Sequence, residues 1–268
     1  MVDKTRHIVP EGTLKGKVII ITGASQGVGE AAAYGFAQAG ATVALCARRG
    51  AIVEKMAAEI ESLGGRAIGI QCDVTNEEQV KNLIDKTVSA FGRIDGLFNN
   101  AGVDTEKVAL CDVKFEDWKQ VHDVKIHGTF LTIKYAIPAM IANGGGAIVN
   151  NGSVVAHYAF VPAPYAASSQ AAIIGLTKVA AATYAKDNIR VNMLTTGGIL
   201  GQEREDSAYE GMLAPILKTI PQGRMGRPFE DAQVAAWLLS DYASYVNGAE
   251  IAVDGGHLAG FGNYIIGR

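Results

Sequence analysis

This 268-residue chain has few cysteines, a small net charge and no long apolar run, and each of these features excludes a class of protein. The three cysteines, Cys46, Cys72 and Cys111, lie far apart without metal-ligand spacing, so we expect free thiols and no metal site. The net charge of −3, without a basic block, gives no broad attraction to nucleic acid or to an acidic membrane. No apolar run has the length of a membrane span, and the first residues lack the apolar core of a signal peptide. These features predict a cytoplasmic protein.

Hydrophobic residues make up 49% of the chain and charged residues 19%, which is enough apolar material for a sizeable core. Residues 18–22, VIIIT, form a continuous apolar run, which is typical of a strand covered on both faces of a parallel sheet. Six further strand-like runs alternate with helical patterns, including one long helix at 114–142. This order predicts an α/β fold, a Rossmann-type doubly wound parallel sheet of about seven strands with helices on both faces.

No linker-like change of composition divides the chain, so we predict one domain over residues 1–268. Residues 1–16 are mixed and polar, and we predict an N-terminal tail there. Residues 199–224 follow the sixth strand and are predicted to form a lid over a small-molecule substrate with an apolar portion. Ligands of such sheets bind beyond the carboxyl ends of the strands, so we expect the functional site at that edge.

The segment Thr22–Gly29, TGASQGVG, lies between the first strand and the first helix and is called the glycine loop below. Its glycines at 23, 27 and 29 permit a tight turn and let a pyrophosphate approach the backbone. The free N–H groups and the dipole of the following helix favour that negative charge. The glycine loop therefore predicts a dinucleotide site.

The glycine loop, the NNAG segment at 99–102 and Tyr165 beyond Ser153 together resemble the short-chain dehydrogenase/reductase family over residues 14–256. The resemblance implies a single-domain enzyme, a homotetramer or homodimer, that moves a hydride between NAD(P) and an alcohol or carbonyl carbon. It also implies cofactor contacts, with Asp73 and Val74 at the adenine and Ile199 at the nicotinamide carboxamide. The full set of implied contacts is Gly23, Ser25, Gln26, Gly27, Val28, Gly29, Asp73, Val74, Asn99, Asn100, Ala101, Gly102, Tyr165, Gly197 and Ile199.

The end of the second strand bears on the choice between NAD and NADP. An acidic residue there would bond the ribose hydroxyls and repel a 2′-phosphate. The chain has Ala47, Arg48 and Arg49 instead, and arginine pairs with phosphate through two hydrogen bonds. We therefore favour NADP(H), with NAD(H) as the alternative; a solvated helix start is the non-functional interpretation of the two arginines.

Tyr165 and Ser153 match the family's catalytic tyrosine and serine. A tyrosine with a free pKa of about 10 is a poor acid–base group at neutral pH, and a nearby cation stabilises the tyrosinate. The resemblance implies a lysine one helical turn later that supplies this charge and holds the ribose. It also implies an asparagine on the preceding helix that positions the lysine, while the serine fixes the substrate oxygen.

Two of these four catalytic positions differ here. Ser169 stands where the lysine of Tyr-x-x-x-Lys is expected, and Lys125, in VHDVKIHGTF, stands where relatives carry the asparagine. We hypothesise that Lys125 reaches toward Tyr165 and Ser169 and restores part of the lost charge. The alternative is a surface lysine unrelated to Ser169. Thr196 also replaces a usual proline, so the part of the site that takes the nicotinamide is altered.

These motifs predict an NADP(H)-dependent oxidoreductase acting on a carbonyl, an alcohol or an activated double bond. Two alternatives keep the scaffold: a lyase, isomerase or cyclase that uses Tyr165 and Ser153, and a dinucleotide-binding regulator. Retention of the glycine loop favours redox chemistry. His122, His127 and His157 lack ligand spacing, and we expect ordinary polar or half-buried roles, with His157 a candidate for the substrate pocket.

Overall fold

The computed structural model describes Lys4 and residues 6–103, 107–158, 162–200 and 215–260, and seven parallel strands form one sheet within them. The strands are β1 Val18–Thr22, β2 Thr42–Ala47, β3 Arg66–Gln71, β4 Gly96–Asn99, β5 Gly146–Ser153, β6 Ile189–Thr196 and β7 Glu250–Val253. Their order in the sheet is β3-β2-β1-β4-β5-β6-β7, and every neighbouring pair is parallel. The predicted doubly wound sheet is confirmed.

The helices between the strands cover both faces of the sheet. They are α1 Gly27–Gln38, α2 Gly50–Ser62, α3 Glu77–Phe91, α4 Phe115–His122, α5 Gly128–Ala142, α6 Pro164–Tyr184 and α7 Pro228–Leu239. Side chains of α1, α2 and α7 pack in one hydrophobic core, and those of α3, α5 and α6 pack in a second core on the opposite face. Burial on both faces explains why β1 consists of apolar residues and a terminal threonine.

A π-helical turn at Asp123–His127 joins α4 to α5, and it is called the π turn below. Residues 115–142 are therefore helical, one residue short of the predicted range 114–142, and five of them follow the wider π geometry. Such insertions rotate the side chains that follow them and occur frequently at functional sites. Lys125 lies at the centre of the π turn.

Local sequence signals set the ends of α3. The Asn76 side chain accepts a hydrogen bond from the backbone N–H of Gln79 at 3.1 Å, which satisfies one of the unpaired donors of the first turn. Gly92 ends the helix in a left-handed conformation with φ +78°. These caps place the following strand, β4, beside β1.

The N-terminal segment packs against the domain. Ile8 and Leu14 are buried, and the backbone N–H of Leu14 bonds the Ala39 carbonyl at 2.9 Å. Most of the predicted lid, residues 201–214, lies outside the described residues. Among the described helices, none combines the length and the apolar character needed to cross a bilayer.

The sheet topology brings the predicted motifs to one edge. The glycine loop follows β1, Asn100 follows β4, Ser153 ends β5 and Gly197 follows β6. Because all strands are parallel, their carboxyl ends meet at the same edge, and the chain reverses its direction of winding between β1 and β4. The fold therefore assembles the candidate site where ligands of this architecture bind.

Candidate active site

The glycine loop is shaped for close backbone approach. Gly23 and Gly27 adopt positive φ angles of +64° and +57°, where other residues are strained. A Cβ atom on Gly29 would lie 2.2 Å from the Gly23 carbonyl oxygen, so only glycine fits that turn. The side chain of Gln26, which precedes α1, makes no capping hydrogen bond, and the N–H groups of the first turn suit the binding of an anion.

Asn100 holds the glycine loop against the end of β4. Its Nδ2 atom donates to the carbonyl oxygens of Thr22 and Gly23, each at 3.2 Å. The Thr22 hydroxyl oxygen in turn accepts from the backbone N–H groups of Asn100 and Ala101, each at 3.0 Å. These four bonds fix the loop to the central strands.

A cavity of about 620 Å³ opens beside this loop. It is lined by Gly23, Ser25, Gln26, Gly27, Val28, Ala47, Arg48, Arg49, Cys72, Asp73, Val74, Asn100, Ala101, Gly102, Val103 and Val124. Most of the residues predicted to contact the adenosine half of a dinucleotide are in this set. The uncapped helix start, the glycines and the cavity fit an extended dinucleotide with its pyrophosphate at α1.

Asn99, Gly29, Tyr165, Gly197 and Ile199 are outside the lining of this cavity. Asn99 is 3% exposed and faces the interior, where it donates to Asn150 Oδ1 at 2.9 Å and accepts from the Thr132 hydroxyl at 2.7 Å. Its observed contacts therefore support the sheet and α5. Gly29 acts through the close packing of the loop.

Ile199 and Gly197 lie at the opposite end of the site, after β6. Ile199 forms an isolated parallel bridge with Gly226, and the Leu200 N–H bonds the Gly226 carbonyl at 2.9 Å. A Cβ on Gly197 would lie 2.7 Å from Asp254 Cα, so a side chain is excluded there. This packing fixes the backbone after β6 beside β7.

Arg49 lies at the end of β2 and reaches back to the glycine loop. Its guanidinium donates to Gln26 Oε1 at 2.7 Å and to Ser25 Oγ at 3.0 Å. Arg48 and Arg49 are both exposed at the mouth of the cavity. Asp73, on the far wall, accepts from the Thr75 N–H and hydroxyl at 3.0 and 2.8 Å, which orients its carboxylate.

Tyr165 and Ser153 lie near the start of α6 and at the end of β5. Tyr165 is the second residue of α6, after Pro164, and is 4% exposed. The Ser153 hydroxyl oxygen accepts a hydrogen bond from the Val155 N–H at 3.4 Å. The chain between them passes through residues 159–161, which are not described.

Lys125 projects from the π turn into the protein. It is 7% exposed, and its ammonium donates to the Asn151 carbonyl oxygen at 2.5 Å, two residues before Ser153. Burial lowers the pKa of Lys125 from 10.5 to about 8, because the ammonium has exchanged water for a poorly polar interior. Within the described part of the chain, that carbonyl is its only hydrogen-bond partner, so two of its three N–H donors remain available.

Ser169 is also buried, at 1% exposure, on the second turn of α6. Its hydroxyl donates to the Ala166 carbonyl at 3.2 Å. The π turn packs against α6, but among the described residues no hydrogen bond joins Lys125 to Ser169 or Tyr165. The orientation of Lys125 toward the strand end, beside Ser153, was not predicted.

Sequence reasoning missed two polar partners of Thr196, the half-buried Asn151 and the fully buried Asp231. The Thr196 hydroxyl lies 2.7 Å from Asn151 Oδ1 and 3.2 Å from Asp231 Oδ1. Asp231 shares the helical face of Ala235 and Leu238, and a polar residue on an apolar helical face signals a buried polar group.

The histidines have ordinary partners. His122 stacks on Trp118 with ring centroids 4.2 Å apart and bonds the Ser168 hydroxyl at 3.0 Å. His127 contacts Asp123 at 2.9 Å, and His157 contacts Glu250 at 2.9 Å. No cluster of three His, Cys, Asp or Glu side chains suited to a metal ion occurs among the described residues.

Known proteins resemble this chain over most of its length. A family model described as enoyl-(acyl carrier protein) reductase matches residues 23–257. A 2,5-dichloro-2,5-cyclohexadiene-1,4-diol dehydrogenase of Sphingobium indicum is 41% identical over 259 residues, covering 92% of this chain and 98% of the relative. The 3-oxoacyl-[acyl-carrier-protein] reductase of Thermotoga maritima is 40% identical over 246 residues, covering 91% and 98%.

The fold agrees with a solved structure of the same kind. A short-chain type dehydrogenase/reductase from Mycobacterium marinum superimposes with a TM-score of 0.85 at 36% identity, covering 93% of this chain and 98% of that protein. The chain therefore belongs to the short-chain dehydrogenase/reductase family, as its motifs predict. It is an oxidoreductase of a family whose dehydrogenases use nicotinamide dinucleotides and act on small molecules.

Proposed function

We propose that this protein is an NADP(H)-dependent oxidoreductase that interconverts an alcohol and the matching carbonyl compound. The observation that carries the proposal is the buried Lys125 ammonium. It donates to the Asn151 carbonyl, two residues before Ser153 on β5, and the π turn that carries Lys125 packs against α6. This contact supports the proposal that Lys125 supplies the charge that the family's lysine would otherwise provide. The substrate class follows the relatives, whose names describe chemistry at a ring alcohol and at a 3-oxo group.

In this mechanism the chain's own residues handle the substrate oxygen. The bound dinucleotide supplies or accepts the hydride at carbon. Tyr165 donates a proton to the oxygen in reduction and removes it in oxidation, while the Ser153 hydroxyl donates a hydrogen bond that fixes the oxygen. Lys125 stabilises the tyrosinate electrostatically, because it remains mostly protonated at pH 7 with a pKa of about 8.

The two unused N–H donors of Lys125 support a second role. A ribose hydroxyl or a bound water can accept from them, as it would from the family's lysine. Ser169 is too short for this contact, and its hydroxyl already bonds Ala166. In this proposal the cation that the family carries on α6 is instead supplied by Lys125 on the π turn, and the α6 position is occupied by the uncharged Ser169.

The preference for NADP(H) rests on Arg49. Its guanidinium lines the cavity beside Gln26, where the adenosine ribose of a bound dinucleotide would lie in this proposal, and Arg48, Arg49 and Gly50 follow β2 without an acidic residue that would repel a 2′-phosphate. The phosphate would take the place of Gln26 and Ser25 as partner of the guanidinium. We further propose a cytoplasmic homotetramer or homodimer, as is usual for the family.

Turnover assays with NADPH and NADH test this function directly. The panel should contain cyclic secondary alcohols, their ketones, an enone and a 3-oxoacyl thioester, with Tyr165→Phe as the inactive control. We expect NADP(H)-linked turnover of an alcohol–ketone pair that falls about a hundredfold or more in the control. Tight binding of NADPH without its oxidation in the presence of any compound of the panel would contradict the proposal and favour a non-redox reaction on this scaffold.

A further inference from the structure

A line of hydrogen bonds crosses the strand ends from α7 to the glycine loop. Asp231 Oδ1 lies 3.2 Å from the Thr196 hydroxyl, which lies 2.7 Å from Asn151 Oδ1. Asn151 Nδ2 lies 2.9 Å from Asn100 Oδ1, and Asn100 Nδ2 lies 3.2 Å from the Gly23 carbonyl oxygen. Four side chains, from α7, β6, β5 and the segment after β4, thus form a line from the buried Asp231 to the glycine loop.

The two backbone carbonyl groups at the glycine-loop end determine which group donates and which accepts in every hydrogen bond of this line. The carbonyl oxygens of Thr22 and Gly23 can only accept, so Asn100 must present its NH₂ group to them. Its oxygen then faces Asn151, which must also present an NH₂ group. The Asn151 oxygen is therefore turned toward Thr196, where it needs a donor.

The Thr196 hydroxyl has one proton, and this proton decides the state of Asp231. At 2.7 Å the hydroxyl must donate to Asn151 Oδ1, because two oxygen atoms at that distance repel without a proton between them. The hydroxyl oxygen can then only accept from Asp231 Oδ1. An ionised Asp231 has no proton to give, so the complete line requires the neutral acid.

The surroundings of Asp231 favour the neutral form. The residue is fully buried, and within the described residues its Oδ2 atom has no hydrogen-bond partner. Burial raises the pKa of Asp231 from 3.8 to about 7; a Thr196 hydroxyl that turned its proton to the carboxylate would oppose this shift to a smaller extent. Its neighbour Glu230, paired with Arg224 at 2.7 Å, adds a small effect in the same upward direction.

Other charged groups near α7 are engaged elsewhere. Arg190 bonds the Ser240 carbonyl at 2.9 Å, and Asp241 pairs with Lys17 at 2.7 Å. Within the described residues, the helices and strands that pack against α7 carry the charged residues Glu30, Arg190, Asp241 and Glu250, and Arg6 lies over the ring of Phe229 on α7. None of these five is among the groups that shift the pKa of Asp231.

We propose that Asp231 is a positioning residue of the cofactor site. As a neutral acid it donates the first hydrogen bond of the line through Thr196, Asn151 and Asn100, and this line holds the glycine loop in its dinucleotide-binding shape. This proposal rests on the proposed function, since it assumes that the glycine loop binds a dinucleotide. When Asp231 ionises, Thr196 turns its proton to the carboxylate, and Asn151 loses the donor that fixes its amide. The Asn151 amide, whose Nδ2 atom bonds Asn100 beside Gly23, is then held less firmly, and the loop binds the cofactor less tightly.

The test is the dissociation constant of NADPH and of NADH, measured by fluorescence between pH 5.5 and 8.5. NADH is included because it has no 2′-phosphate that titrates in this range. In the wild type we expect the affinity for both cofactors to fall about fivefold across this range, the size of one lost hydrogen bond. Asp231→Asn keeps a donor at every pH, so it should bind as the wild type does at pH 5.5 and stay constant.

Thr196 variants provide the second arm. Thr196→Val breaks the line without changing its volume, so binding should be weak at every pH, whereas Thr196→Ser should restore the wild-type profile. Asp241→Asn, an exposed acid on the neighbouring turn, is the matched control and should behave as the wild type. An Asp231→Asn profile that falls in parallel with the wild type would overturn the inference while leaving the proposed function intact. Failure of all variants and the wild type to bind either cofactor would instead remove the proposed function.

Discussion

The Lys125 ammonium donates a hydrogen bond to the carbonyl oxygen of Asn151, and this contact brings a buried cation to the end of β5. Neither an aspartate nor a glutamate pairs with it among the described residues. A buried charge without a counter-ion lowers stability, and such arrangements occur preferentially at functional sites. The same Asn151 links Lys125, through its backbone, to the side chains that hold the glycine loop.

Replacing Lys125 should make the protein more stable. The folded-state pKa of about 8 lies below the unfolded value of 10.5, so the penalty of burying the ammonium is complete below pH 8 and disappears above pH 10.5. Lys125→Met should therefore raise the free energy of unfolding at pH 7 by about 1 to 2 kcal/mol, after the lost hydrogen bond is included. Urea unfolding at pH 7 and pH 10 measures this gain, which should shrink at the higher pH. Lys134→Met, on the exposed side of α5, should change little, and a Lys125→Met gain that is equal at both values would refute the burial penalty.

Moving the cation back to α6 should recover activity. Lys125→Asn should lower kcat about a hundredfold, and the double variant Lys125→Asn/Ser169→Lys should regain at least about tenfold of that loss. Ser169→Lys alone places a second cation in a buried space near the first, so its melting temperature should fall. Steady-state kinetics and thermal unfolding provide both readouts. Full activity in Lys125→Asn would show that the cation has not been relocated.

Arg49 should determine the choice of cofactor. Arg49→Ala removes the guanidinium from the ribose end of the cavity, so the dissociation constant for NADPH should rise about tenfold while that for NADH stays within about twofold. Calorimetry of both cofactors at low salt gives the comparison, with Arg48→Ala as the neighbouring control. An unchanged NADPH-to-NADH ratio in both variants would contradict the NADP preference.

The stability of the wild type should fall as Asp231 ionises. Its folded-state pKa of about 7 lies above the ordinary value of 3.8, so the contribution of the neutral acid is complete below about pH 4 and is lost as the pH rises through 7. Asp231→Asn has no such dependence. The stability of the wild type relative to the variant should decrease by about 4 kcal/mol at most between pH 4 and pH 8. A difference that stays constant in urea unfolding over this range would mean that Asp231 is ionised throughout.

Local patterns made the fold predictable from the sequence. Continuous apolar strands, the glycines of the loop and the caps of α3 each act within a few residues, and the structure has them where the sequence indicates. The two neighbouring asparagines at the end of β4, Asn99 in the strand and Asn100 after it, have different roles. Successive residues of a strand face opposite sides, so only Asn100 reaches the glycine loop, while Asn99 supports the interior.

The altered part of the site depends on contacts that no local pattern encodes. The direction of Lys125 follows from the π turn, which changes the helical register by one residue. The line from Asp231 to Asn100 joins α7, β6, β5 and the end of β4, which are separated by up to 131 positions in the sequence. The sequence shows that Thr196 and Ser169 are unusual for the family, but their partners become visible only in three dimensions.

The most direct test of the relocated cation is the pH dependence of single-turnover NADPH oxidation, followed by nicotinamide absorbance with saturating ketone. In the wild type we expect the rate constant to decline as the pH rises through about 8, where Lys125 loses its proton. Lys125→Met should be about a hundredfold slower at pH 7 and should show no decline near pH 8. A variant profile that overlays the wild type in both rate and shape would contradict the role of Lys125 in catalysis.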